Sequence, residues 1–336
     1  MPTPAFNIGR AQIGGVAAPF IIAEAGSNFD QSLDIALKLI DTAVDCGADA
    51  VKFQLFRADE LHPVGSEMYK AFKAVELNPD WVEKLFAHAR DRNIQFLASA
   101  FDRKSVDLLE ALGVPAHKVA SSETTNIPLL SYIAAKHTPM IISTGMCDLA
   151  DVADAVMICE AAGNDRIALL QCVAMYPLPV ELTNLRVMEM FSKTFSCPVG
   201  YSDHTLGLAA SIAAVAMGAN IIEKHFTLNK NSKGPDHFYA LEPDELKTLI
   251  TMAREAHAAL GRAAKELTPD EKRWGRREGL YAARDIKSGS RIGEDDISVQ
   301  RPAVGLRARY RNALLDATAA ADIDRGAPIT WDQIRF

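Results

Sequence analysis

The stretch FIIAEAGSNFD, residues 20–30, decides the architecture. FIIAEAG (20–26) is an apolar run interrupted by a single carboxylate, Glu24. That is enough for a buried strand and too short and too interrupted for a membrane span. The residues that follow are not the G-x-G-x-x-G turn that opens a doubly wound dinucleotide fold. Seven more short runs follow downstream: AVKFQ (50–54), QFLASA (95–100), HKVAS (117–121), MIISTG (140–145), IALLQCV (167–173), PVGYSD (198–203) and IIEKHF (221–226). Amphipathic stretches such as SLDIALKLIDTAVDCGA and WVEKLFAHARDRN lie between them. Strands alternating with helices imply parallel pairing with helical crossovers. Eight such units predict an α/β fold, a (β/α)8 TIM barrel, over residues 1–262.

Residues 263–278 are polar and charged and read as a linker. Beyond them, residues 279–336 change character, with short strands, dense turns and an internal repeat. ARDIKSGSRIGEDDIS (283–298) returns as AADIDRGAPITWDQIR (320–335). Each copy reads as two short strands around a Gly turn, then a capped helical turn. A small β-rich domain is expected there.

With 49% hydrophobic and 24% charged residues, the composition is that of an ordinary globular protein. A net charge of -7 argues against non-specific nucleic-acid binding. The five cysteines form no C-x-x-C pair, and the first fifteen residues lack the pattern of a secretory leader. Together these lead to the expectation of a cytoplasmic protein without membrane association.

In a TIM barrel the chemistry sits at the C-terminal ends of the strands. Those ends carry Glu24, Lys52, Gln54, Ser99, Lys118, Ser121, Ser143, Ser202, Asp203, His204, Glu223 and His225. Period-two alternation puts Lys52 and Gln54 on one face and Phe53 on the other, and puts Glu223 and His225 opposite Lys224. His204 and His225, on neighbouring strands, are the metal-ligand candidates; capping or core histidines are the alternative. Lys52, Lys118 and the serines read as an anion site. The competing readings pair each lysine with Glu24 or Glu223, or make one a Schiff-base lysine. The turn in KGPDHF (233–238) presents Asp236 to the mouth, or is a plain surface turn.

Taken together, FIIAEAGSN, GADAVKFQ, HKVASSE, IISTGM, GYSDHT, IIEKHFT, GPDH and the C-terminal SVQRP resemble the sialic acid (nonulosonate) synthases with a C-terminal SAF, or antifreeze-like, domain. The resemblance covers nearly the whole chain. It implies condensation of phosphoenolpyruvate (PEP) with an N-acyl hexosamine, N-acetylmannosamine or a diacetamido-trideoxyhexose, to a nine-carbon 2-keto-3-deoxy acid. By resemblance, His204 and His225 hold a divalent metal, usually manganese, with magnesium or cobalt as alternatives. Lys52, Ser99, Lys118, Ser121, Ser143 and Ser202 bind PEP. Glu24 handles water or a proton. Gln54, Tyr176, Glu223 and Asp236 bind the sugar. Arg301 reaches the partner's site in a domain-swapped homodimer. Four positions depart from the family's usual pattern: Phe29, Ala174, Phe238 and Ala303. Competing functions are a metal-dependent pyruvate aldolase and a carbohydrate- or ice-binding protein.

Overall fold

The computed structural model describes residues 4–336; residues 1–3, the start of the stretch read as lacking a leader, lie outside the described residues. The chain divides into two compact units, one ending at Gly261 and one spanning Arg262–Phe336. Among the described residues no helix is long and apolar enough to cross a membrane.

The first unit opens with a hairpin that the sequence reading missed, β1 (Phe6–Ile8) and β2 (Ala11–Ile13). Three-residue strands carry too little periodicity to be seen. Eight parallel strands then close into a barrel: β3 (Phe20–Gly26), β4 (Ala50–Leu55), β5 (Gln95–Ala100), β6 (His117–Val119), β7 (Met140–Ser143), β8 (Ile167–Cys172), β9 (Val199–Asp203) and β10 (Ile221–His225). β10 pairs with β3 to complete the ring, His225 opposite Glu24. Four of the expected runs overshoot. Ser121 lies beyond β6, in a 3-10 turn (Ser121–Glu123), Gly145 lies beyond β7, Val173 lies beyond β8 and Phe226 lies beyond β10.

Side-chain alternation divides the barrel in two. Outward residues such as Ile21, Val51, Phe53, Phe96, Leu169, Tyr201 and Ile222 form one core with the surrounding helices. Inward residues at the lower end, including Ile22, Ala50, Leu97, Ala116, Ile141, Leu170 and Ile221, form a second core with Ile8 and Ile13 of the hairpin. That end is therefore a packed apolar layer, closed by the hairpin. Two residues further along each strand the next inward position is polar or sulfur-bearing: Glu24, Lys52, Ser99, Lys118, Ser143, Cys172, Ser202 and Glu223. A full ring of such groups at the end opposite an apolar plug is the arrangement of a reaction chamber.

In the second unit the expected linker contains a short helix (Pro269–Trp274), capped by Thr268. Beyond it, β11 (Gly279–Ala282) pairs with β12 (Ile297–Gln300), and β13 (Thr318–Ala319) with β14 (Ile334–Arg335), all antiparallel. The repeat becomes a pseudo-two-fold. Ile286 and Ile323 exchange both backbone hydrogen bonds across its axis. Asp285 accepts from the Arg325 N–H as Asp322 accepts from the Ser288 N–H, both at 2.8 Å. Ile286, Ile292 and Ile297, with their counterparts Ile323, Ile329 and Ile334, fill this unit's own core.

Candidate active site

At the upper rim the four charged inward groups form an alternating row. Lys52 Nζ lies 2.6 Å from Glu24 Oε2 and 3.7 Å from Glu223 Oε2; Lys118 Nζ lies 3.5 Å from Glu223 Oε1. All four are at least 95% buried. Charges so far from water persist only when each has a partner of opposite sign. The serines complete the shell. Lys52 donates to Ser99 Oγ (3.1 Å), Lys118 to Ser143 Oγ (2.8 Å) and Ser202 Oγ to Glu223 Oε1 (2.9 Å). Gln54 Nε2 donates to Glu24 Oε1 at 3.2 Å. Thus each lysine faces a carboxylate and also hydroxyl groups.

Electrostatics separates the two glutamates. Burial pushes Glu24 up to about 7, although Lys52 pulls it down. Burial would raise Glu223 too, but Lys118 and Lys52 outweigh it and hold its carboxyl well below the usual range. Burial disfavours the charge on Lys52, yet Glu223 and Glu24 keep its pKa raised. For Lys118 burial prevails and its pKa falls. Of the four, Glu24 is therefore the group able to gain or lose a proton near neutral pH.

The two histidines sit beside this row. Their ring centroids are 5.6 Å apart. His204, one residue past β9, holds its Nδ1 2.9 Å from the Val173 carbonyl. A carbonyl only accepts, so Nδ1 carries the proton and Nε2 keeps a free lone pair. His225 Nδ1 is buried and has no hydrogen-bond partner. One imidazole oriented by a backbone carbonyl and one with an orphaned ring nitrogen fit a shared divalent ion. Among the described residues no group of three or more His, Cys, Asp or Glu side chains is placed to hold one metal ion, so the protein would contribute two ligands and leave the other positions to solvent and substrate.

Asp236 does face the mouth. Its Oδ2 accepts from Ser27 Oγ (2.9 Å) and the Ser27 N–H (3.3 Å), and its Oδ1 from Tyr239 OH (2.8 Å). Gly26 makes this possible. It has φ +54, and a Cβ there would stand 2.8 Å from Asp236 Oδ2 and 3.2 Å from the His225 ring. Tyr176 lies over the pair, its ring 4.1 Å from His204. Ser121 Oγ accepts from the Gly145 N–H at 2.9 Å and lies 3.5 Å from Cys172 Sγ.

Two expectations need correction or restriction. Asp203, counted among the strand-end groups, points away from the chamber. It pairs with Lys224 at 2.9 Å and accepts from Ser211 Oγ, on the helix side of β9 and β10. The carboxylate beside His204 in sequence is thus not beside it in space, as strict alternation from Ser202 requires. Arg301 belongs to the second unit, where it pairs with Glu278 at 2.6 Å. Sequence reasoning missed Tyr239, Ser27 and Cys172. Cys172 was detectable, being the inward residue two places after Leu170.

The model of the NeuB family matches residues 39–265, and that of the SAF domain residues 277–335. The chain is 41% identical to N,N'-diacetyllegionaminic acid synthase of Campylobacter jejuni over 315 residues, 88% of this chain and 94% of that protein. It is 36% identical to N-acetylneuraminate-9-phosphate synthase of Mus musculus, over 86% of this chain and 84% of that one. A crystal structure of N-acetylneuraminic acid synthetase from Leptospira borgpetersenii, in complex with citrate, superposes with a TM-score of 0.77 at 33% identity, covering 81% of this chain and 95% of that chain.

Proposed function

The chain belongs to the NeuB family of nonulosonic acid synthases, and from that premise we propose that it condenses PEP with an N-acyl hexosamine, giving a nine-carbon 2-keto-3-deoxy acid and inorganic phosphate. The observation that carries this reading is the juxtaposition of a buried lysine pair with a partner-poor histidine pair at one rim. A trianionic donor needs the first and an aldehyde acceptor the second.

In this reading Lys52 and Lys118, with Ser99, Ser121, Ser143 and Ser202, hold the phosphate and carboxylate of PEP. His204 and His225 would hold a divalent ion, manganese by resemblance, which supplies Lewis-acid polarisation of the acceptor's aldehyde oxygen. Gln54, Tyr176, Glu223 and Asp236 orient the sugar so that its carbonyl carbon faces carbon 3 of PEP. Carbon 3 attacks that carbon; water adds at carbon 2; the C–O bond to the bridging oxygen breaks, and phosphate leaves with that oxygen. Glu24, poised near neutrality and steadied by Gln54, takes the proton of the attacking water. Arg301 would complete the site of a second subunit in a swapped homodimer.

The test is a phosphate-release screen with PEP, a panel of N-acyl hexosamines and added manganese. Acceptor-dependent release of one phosphate per keto acid is expected. Turnover with pyruvate in place of PEP would identify an aldolase instead.

A further inference from the structure

The hydrogen-bond ladder of the barrel stops short of His204. β9 pairs with β8 as far as Ser202 and with β10 as far as Asp203. The next residue, whose ring needs a definite place, is left to other bonds, and most of them come from behind the sheet. Asp203 Oδ1 accepts from the Thr205 N–H and from Thr205 Oγ1, both at 2.8 Å, so the residues on either side of His204 are tied to each other. Asp203 Oδ2 accepts from Ser211 Oγ at 2.6 Å, on the helix Ala209–Ala216, and meets Lys224 Nζ at 2.9 Å. Lys224 Nζ also donates to the Thr205 carbonyl at 2.6 Å. The His204 carbonyl accepts from the Leu178 N–H at 2.8 Å.

Lys224 is the peptide neighbour of His225. Its ammonium therefore spans from the backbone that carries one imidazole to the backbone that flanks the other. Asp203, Thr205, Ser211 and Lys224 are all buried. Other outward residues of the barrel, such as Ala23, Phe53 and Ile142, are apolar. Apolar packing commonly stabilises a core as well as a buried ion pair does, so stability alone gives no reason for charges here.

We propose that Asp203 and Lys224 are positioning residues for the metal: a strut behind β9 and β10 that holds the His204 and His225 rings at the spacing of one shared divalent ion. The inference rests on the metal-bearing part of the condensing reading and adds to it two residues that point away from the chamber. Lys224 acts through two backbones, so its loss lets the rings drift apart without removing a ligand. Groups that orient metal ligands in this way are typically worth about 10- to 100-fold in metal affinity.

The experiment titrates manganese alone into the full chain by calorimetry and, separately, PEP into metal-free protein. The double variant Asp203→Asn/Lys224→Met is a neutral pair that leaves no buried charge unpaired. Thr205→Val drops one hydroxyl bond and no charge. Manganese affinity should fall about 10- to 100-fold in the double variant and about 2- to 10-fold in Thr205→Val. Metal-free PEP affinity, set by Lys52 and Lys118, should stay at the wild-type value, and circular dichroism with urea titration checks the fold. Wild-type manganese affinity in the folded double variant, or in Thr205→Val should the double variant fail to fold, would overturn the inference. So would an equal loss of manganese and PEP affinity, the mark of a rim that has collapsed as a whole. No manganese binding by the wild type would remove the metal-bearing reading, and this inference with it.

Discussion

Glu24 is the residue on which proton traffic turns. Its carboxyl is buried, ion-paired to Lys52 and raised to about 7. If it acts as the base toward water, its ionised form is the active one. Lowering the pH through about 7 then protonates it, and kcat/KM should fall on the acid side with an apparent pKa near that value. Glu24→Gln should lower the rate and remove that limb; a rate–pH profile of both proteins checks it. His225→Ala should cost at least about 100- to 1,000-fold in kcat/KM and abolish manganese binding by calorimetry, with an unchanged circular dichroism spectrum. Most of these residues were legible in the sequence because strand alternation is rigid: Lys52 and Gln54 had to share a face once Phe53 was assigned to the helices. Asp203 was misplaced by ignoring that same rule on β9. Tyr239 was not legible, since its bond to Asp236 depends on how a loop folds back within three residues.

At the scale of single elements, two features support the rim from behind. Gly26 ends β3 at a register shift against β4 and leaves room for Asp236 and His225. Gly26→Ala places a Cβ in the left-handed region at a cost of about 1–3 kcal/mol. It also pushes on both groups, so stability in urea and manganese affinity should fall together. On the outer face of β9 and β10, Lys224 and Asp203 form a buried pair, and Lys224 also donates to the Thr205 carbonyl beside His204. Lys224→Met leaves that carboxylate unpaired and should destabilise the barrel by about 3–5 kcal/mol in urea titration. The eight strands were readable as short apolar runs. The β1–β2 hairpin was not, and without it the closure of the lower barrel end stays invisible in the sequence.

For the molecule as a whole, the 37-residue repeat was plain in the sequence, and its pseudo-two-fold pairing follows from self-complementary edges. The assembly is a proposal, resting on Arg301. In a swapped dimer, mixing inactive His225→Ala with inactive Arg301→Ala subunits should restore about a quarter of wild-type activity, because half the dimers are mixed and each has one intact site. No recovery after subunit exchange would remove the partner role of Arg301. The account as a whole depends on one rim holding both an ion and an anion, which crystals grown with manganese and PEP examine directly. Anomalous diffraction should show one manganese peak bonded to His204 and His225, with the PEP phosphate and carboxylate against Lys52 and Lys118. A peak away from either imidazole, or PEP bound clear of both lysines, would contradict it.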